Sequence, residues 1–272
     1  MKEFVVWQIC EIPRFIEERA KYLQSKPAGY ILSKADKKSF DHLLNVCIGN
    51  QFSGLGWTNV HVRTVMLRTL VGQRNFKLTA QTILHELYEL RNAFDSALME
   101  RHFISVDPGK VGFFRDGENL FGKNVVNGFP SARDDIKNAA NCLAVDLNTA
   151  AVFHLIRATE IGMRILADRL RVVVYRGKEK ITIKDSTWSE LIRGINLKIE
   201  SERQKPKAKR RVIRSHFRDY EILANHLNIL KDDRNHVMHT QSNYGASEAL
   251  GVFDRARDFM QKLAKKVSET NN

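Results

Sequence analysis

Apolar residues recur every three or four positions along most of this chain, the interval that gives a helix one face for a core. Ile12, Phe15, Ile16, Arg19 and Leu23 form one such stripe, and Phe40, Leu43, Leu44 and Cys47 a second. From Thr79 to Met99 the stripe is Ile83, Leu87, Leu90, Phe94 and Leu98, which predicts the clearest helix of the first hundred residues. The glycine-containing stretch Gly49 to Trp57 interrupts the pattern. Residues 1–104 therefore read as an N-terminal helical domain with no motif that carries chemistry. His61, Arg63 and His85 stand singly and read as surface or core positions.

The character changes over 105–130. Asp107-Pro108-Gly109 signals a turn, and Gly112, Gly117, Gly122 and Gly128 punctuate Phe113, Phe114, Phe121 and Phe129. With Phe103 just ahead, five aromatic rings need burial, so this segment reads as a packed connector that holds the domain boundary. Helical periodicity then resumes. Ser131 with Asp134 predicts a capping box opening a helix to about Val145. A second helix is expected from about Leu147 to Leu170, carrying Val152, Leu155, Ile156, Ile161, Ile165 and Leu166. The β-branched runs Val172 to Tyr175 and Ile181 to Ile183 flank Gly177 and predict a short hairpin. Thr187 and Glu190 form another capping box, for a helix to about Glu200. The basic segment Gln204 to Arg211 contains Pro206 and reads as a loop. A long helix from about Val212 to His239 and a last one from about Ser247 to Val267 complete the chain. The expected fold is mostly all-α: the N-terminal helical domain, the connector, and an up-and-down helical bundle over 131–272 with a short β-hairpin insertion.

Composition adds a partner and a compartment. A formal charge of +13 and a pI near 9.7 fit a polyanion such as nucleic acid. Cys10, Cys47 and Cys142 are scattered with no CxxC, against both a disulfide framework and a thiolate zinc site, and a reducing cytoplasmic setting is expected. The apolar patch Phe4 to Trp7 is soon interrupted by Glu11, Arg14, Glu17 and Glu18, unlike a signal peptide. No run approaches eighteen apolar residues, so no membrane partner is expected.

One six-residue run carries candidate chemistry: Arg234-Asn235-His236-Val237-Met238-His239. A permanently charged guanidinium can clamp a phosphate, an imidazole titrates near neutrality, and a carboxamide can orient either. Arg-to-His spacing alone is weak, since Arg211 and His216 repeat it. Only Arg234 is followed by a polar residue. On a helix Asn235 and His239 share a face, Arg234 lies about 100° round but can reach the same edge, and Met238 suits packing against another helix. One copy offers a single such set; a two-fold dimer would supply an acid, a base and two phosphate clamps. Two blander readings stay open: Arg234 and His239 as cations at a helix end, or His236 and His239 chelating a metal with Asp232 or Asp233, for which no third ligand stands at characteristic spacing. Lys205, Lys207, Lys209, Arg210, Arg211 and Arg214 lead into the same helix and read as an RNA-backbone surface, or else as a solvated loop. Phe217 and Tyr220 are too few for sequence-specific base readout. His154 reads as a hydrogen-bonded core residue.

The run resembles the signature of the HEPN superfamily, an Arg, a polar residue and a His four to six positions on. Ala151-Val152-Phe153-His154-Leu155-Ile156-Arg157-Ala158-Thr159-Glu160 is similar to the opening helix of abortive-infection and toxin-type HEPN domains, and Phe259-Met260 with Leu263-Ala264 fall where those domains place their closing helix. The resemblance covers about residues 131–269. It implies a bundle of four or five helices that dimerises through the motif helix, and a metal-independent endoribonuclease with no cofactor. Such enzymes leave 2′,3′-cyclic phosphate and 5′-hydroxyl ends. By position, Arg234 would stabilise the phosphorane, His239 would transfer a proton or hold the phosphate, Asn235 would orient the scissile group or Arg234, and Glu160 would orient Arg234 across the bundle. A toxin or antiphage defence effector follows, with RNA, a second copy and an antitoxin or defence-system protein as partners. The first hundred residues would sense, regulate or recruit. The competing readings are a non-catalytic HEPN module that dimerises and holds a nucleotide or partner protein, and a basic nucleic-acid-binding regulator.

Overall fold

The computed structural model describes residues 6–27, 29–48, 57–72, 77–101, 104–206, 213, 217–239 and 243–269. These residues are mostly helical, with one two-stranded sheet among them, as the sequence pattern predicts. The chain divides into two compact units, Met1–Phe103 and Ile104–Asn272.

The first unit comprises α1 (Val6–Gln24), α2 (Lys34–Ser39), α3 (Asp41–Ile48), α4 (Thr58–Gly72) and α5 (Ala80–Met99). Thr79 caps α5 by accepting the Thr82 backbone N–H, and Ile83, Leu87, Leu90 and Phe94 enter a core with Ile12, Ile16, Phe40 and Trp57. The sequence pattern gave no warning of α4. Val60, Thr64, Leu67 and Val71 face inward, but Val62, Val65 and Met66 on the other side are also apolar and exposed, which erases the stripe. Arg63, read as a lone polar residue, reaches Glu89 on α5 at 2.7 Å.

The second unit begins with α6 (Val111–Asp116) and α7 (Lys123–Gly128). Here the connector expectation needs correcting. Phe121, Val125 and Phe129 are buried in the same core as the later helices, and Phe113 and Phe121 meet Phe253 edge to face at 5.5 and 5.3 Å. Residues 104–130 belong to this unit, because their rings complete its core. The main bundle is α8 (Arg133–Ala144), α9 (Asn148–Arg169), α10 (Trp188–Gln204), α11 (Phe217–Met238) and α12 (Ala246–Ala264), with β1 (Val174–Arg176) and β2 (Glu179–Ile181) pairing antiparallel between α9 and α10.

Local chemistry sets these boundaries. The Thr187–Glu190 capping box forms as expected, and Glu190 also takes both ends of the Arg176 guanidinium, tying hairpin to helix. The Ser131–Asp134 box does not form. Pro130 starts a 3-10 turn through Ala132, α8 opens at Arg133 without a side-chain cap, and the Ser131 N–H goes instead to Glu269 Oε2 at 3.1 Å. Gly162 lets α9 and α12 close up: a Cβ there would stand 2.7 Å from Met260 Sδ and 3.2 Å from Phe259 Cε1.

Candidate active site

Along α11 the buried residues are Leu223, Ala224, Leu227 and Leu230, one face at helical spacing. Full burial stops at Leu230; in the last two turns, which carry the polar motif, Val237 continues the stripe half-buried and packs against the core. Arg234, Asn235 and His236 are half-buried there, and His239 is exposed. Arg234 Nη1 donates to Asn235 Oδ1 at 3.2 Å. The His239 backbone N–H donates to the Asn235 carbonyl at 3.1 Å, which carries the helical turn one residue past Met238. The three residues therefore share one helix end, Arg234 and Asn235 half-buried and in contact and His239 exposed.

What holds this end lies behind it. Arg255 of α12 grips Asp233 with Nη2 at 2.8 Å from both carboxylate oxygens and Nε at 3.1 Å from Oδ2. Tyr244, in the α11–α12 connection, donates its hydroxyl to the Asp233 carbonyl at 3.1 Å and sets its ring edge-on to His236 at 5.2 Å. Its backbone N–H donates to Thr149 Oγ1 in the first turn of α9, at 3.0 Å. Burial, with the Asp233 charge adding, pushes the Tyr244 hydroxyl up to about 12, so it remains a donor at neutral pH. Asp233, Tyr244, Arg255 and Thr149 carry no sequence signal as a group; Thr149 and Arg255 are 106 positions apart and only the fold collects them.

Glu160 does not orient Arg234. Its Oε1 accepts Arg164 Nε at 3.0 Å and its Oε2 accepts the Trp188 indole N–H at 2.7 Å. It stands about 16 Å along α9 from Thr149, away from the motif end. Its role is to join α9 to the start of α10, and Arg164 extends that joint to the Ile183 and Lys184 carbonyls. Of the basic residues, Lys205 sits 2.5 Å from Glu202, a buried carboxylate that Lys198 approaches from the previous turn at 3.8 Å. Lys205 thus neutralises a buried charge. Lys207, Lys209, Arg210, Arg211 and Arg214 lie outside the described residues, as does His216. Phe217, where α11 begins, stands about 25 Å from Arg234 along a helix rising ~1.5 Å per residue.

Asp233 is committed to Arg255, and among the described residues no three His, Cys, Asp or Glu side chains converge as metal ligands. Among them, too, no helix is long and apolar enough to cross a membrane. Comparison with protein-family models, curated proteins and solved structures returns no match.

Proposed function

We propose that the second unit is a metal-independent endoribonuclease of HEPN type, acting as a homodimer in which two copies of the α11 end form one site. The observation that carries this reading is Arg234 in contact with Asn235, one turn from an exposed His239, on a helix end pinned from behind by Asp233 and Arg255. An RNA 2′-oxygen attacks the adjacent phosphorus and the bond from phosphorus to the 5′-oxygen breaks. His239 of one copy takes the 2′-hydroxyl proton, and His239 of the other delivers a proton to the leaving oxygen. Two Arg234 side chains neutralise the charge gathering on the equatorial oxygens. Asn235, by accepting from Nη1, fixes the rotation of the guanidinium and leaves its remaining N–H groups for phosphate. No cofactor enters this chemistry. The similarity in residues 151–160 and 234–239 also supports a toxin or defence role in which a partner protein restrains the enzyme.

The test is RNA cleavage in EDTA with identification of the product ends. Wild type should yield cyclic phosphate and 5′-hydroxyl termini, and Arg234→Ala and His239→Ala should each abolish cutting while keeping the fold. Cutting retained in both variants ends the proposal. A composite site adds a sharper expectation, because subunit exchange with a ninefold excess of Arg234→Ala leaves only about one wild-type protomer in ten paired with another. Activity per wild-type protomer should fall about tenfold; unchanged activity would mean each copy works alone. Absence of cleavage together with tight dimerisation and a co-purifying ligand would point to the non-catalytic module instead.

A further inference from the structure

A group of charged and aromatic side chains lies together on α8 and α9, apart from the motif helix. Asp135 is buried, and its carboxylate anchors two α9 residues at once. His154 Nδ1 lies 2.8 Å from its Oδ1, and Arg157 Nε donates to both oxygens at 3.0 and 3.2 Å. With Nδ1 taken by the carboxylate, Nε2 is the nitrogen left to meet a ligand, on a side chain 27 % exposed. Arg157 is 59 % exposed, and its two η nitrogens have no hydrogen-bond partner among the described residues. Beside both stands Phe153, exposed, with the His154 ring edge-on at 5.9 Å and the Arg157 guanidinium carbon 5.9 Å from its centroid.

This is more than a surface ion pair. A carboxylate that is itself buried holds an imidazole and a guanidinium still, next to an aromatic ring that the core does not use. The position matters as much as the composition. Thr149, Phe153 and Arg157 follow at four-residue intervals on one stripe of α9, and Thr149 is the residue that anchors Tyr244 against the motif helix. Phe153 and Arg157 are therefore about 6 and 12 Å along α9 from that anchor.

We propose that Phe153, His154 and Arg157, positioned by Asp135, form a subsite for one nucleotide of single-stranded RNA, the base stacking on Phe153 and the phosphate resting on Arg157 and His154. This rests on RNA being the substrate of the neighbouring motif, and assigns where a nucleotide flanking the scissile bond is held. Stacking on an aromatic face accepts every base, so the subsite supplies affinity and register without sequence preference.

The test is binding of a 2′-O-methyl RNA oligonucleotide, which has no attacking hydroxyl, to the full chain in EDTA. Phe153→Ala should weaken binding about tenfold. The same variant should leave the affinity for an oligonucleotide of abasic residues unchanged. Arg157→Gln should weaken both and reduce the slope of log Kd against log salt by about one. Equal affinity of wild type and both variants for the normal oligonucleotide overturns the subsite. So does loss of the dimer in Phe153→Ala, which would make the ring an interface residue. Cleavage of unmodified RNA is scored separately with Arg234→Ala. If binding responds as described but that variant still cuts, the nuclease assignment of the motif fails and the subsite stands. If that variant is inactive and binding does not respond, the reverse holds.

Discussion

Replacing Arg255 by Ala should test whether the motif is held in place from α12. The Asp233 side chain is 15 % exposed and Arg255 is 36 % exposed, and three contacts of 2.8 to 3.1 Å join them. Removing the guanidinium strands a mostly buried carboxylate. A fully buried pair broken in this way costs about 3–5 kcal/mol, whereas a solvent-exposed pair contributes about 0–1. Partial exposure of Arg255 places the expected loss between them, at about 2 kcal/mol. In a unit of this size that lowers Tm by roughly 4–8 °C. Urea unfolding of the wild type, Arg255→Ala, Asp233→Ala and the double variant would give the coupling directly as a double-mutant cycle. Cleavage at a temperature where all four are folded should fall in both single variants, because the turn carrying Arg234 and His239 loosens. A coupling energy below about 0.5 kcal/mol, with cleavage unchanged, would refute the idea that α12 positions the motif.

Tyr244→Phe removes only the hydroxyl that donates to the Asp233 carbonyl; it should cost about 1 kcal/mol in denaturant and lower cleavage without moving its pH profile near neutrality. Gly162→Ala forces a methyl to within 2.7 Å of Met260 Sδ and should destabilise by about 1–2 kcal/mol, the crowding outweighing the gain in helix propensity, as a lowered urea midpoint. Glu190, held down to about 2 by the Arg176 guanidinium and the Thr187 N–H, contributes stability that is complete above its ordinary value of 4.5 and is lost as pH falls toward 2. Glu190→Gln should accordingly flatten the stability curve over that acid window and nowhere else.

The fold was legible wherever a helix has one apolar face and a recognisable end. Thr79 to Met99 and the Thr187–Glu190 box are of that kind, because both signals are local. α4 was not legible, since its outward Val62, Val65 and Met66 imitate a second inner face. Ser131 misled for a different reason. Its capping chemistry was sound, but Pro130 imposed a 3-10 turn and Glu269, 138 residues later, claimed its N–H. The same distinction separates the site residues. Arg234, Asn235 and His239 are neighbours on one helix, so the sequence could group them. Glu160 was assigned across the bundle, where its partners depend on packing, and it belongs to Arg164 and Trp188. Asp135 with His154 and Arg157 leaves no local mark in the sequence, because the carboxylate lies on another helix.

The end of the bundle that carries the motif keeps some apolar side chains in water, as do the hairpin with Tyr175 and the outer helix faces with Leu197 and Ile229. Leu147 stands at the start of α9, Met238 at the end of α11 and Leu250 in α12, each between 40 and 57 % exposed. Completing the burial of these three in both copies of a two-fold pair contributes roughly 5–9 kcal/mol, since each is already about half covered and full burial is worth ~1.5–3. Association costs on the order of 4–15 kcal/mol before any contact is made. The two magnitudes nearly cancel, so apolar contact by itself supports no more than a weak dimer. Two Arg234 side chains facing each other would add repulsion, which an RNA phosphate placed between them relieves. In the two-copy reading, substrate and second copy therefore stabilise each other's binding, and the site is assembled mainly when RNA is there to be cut.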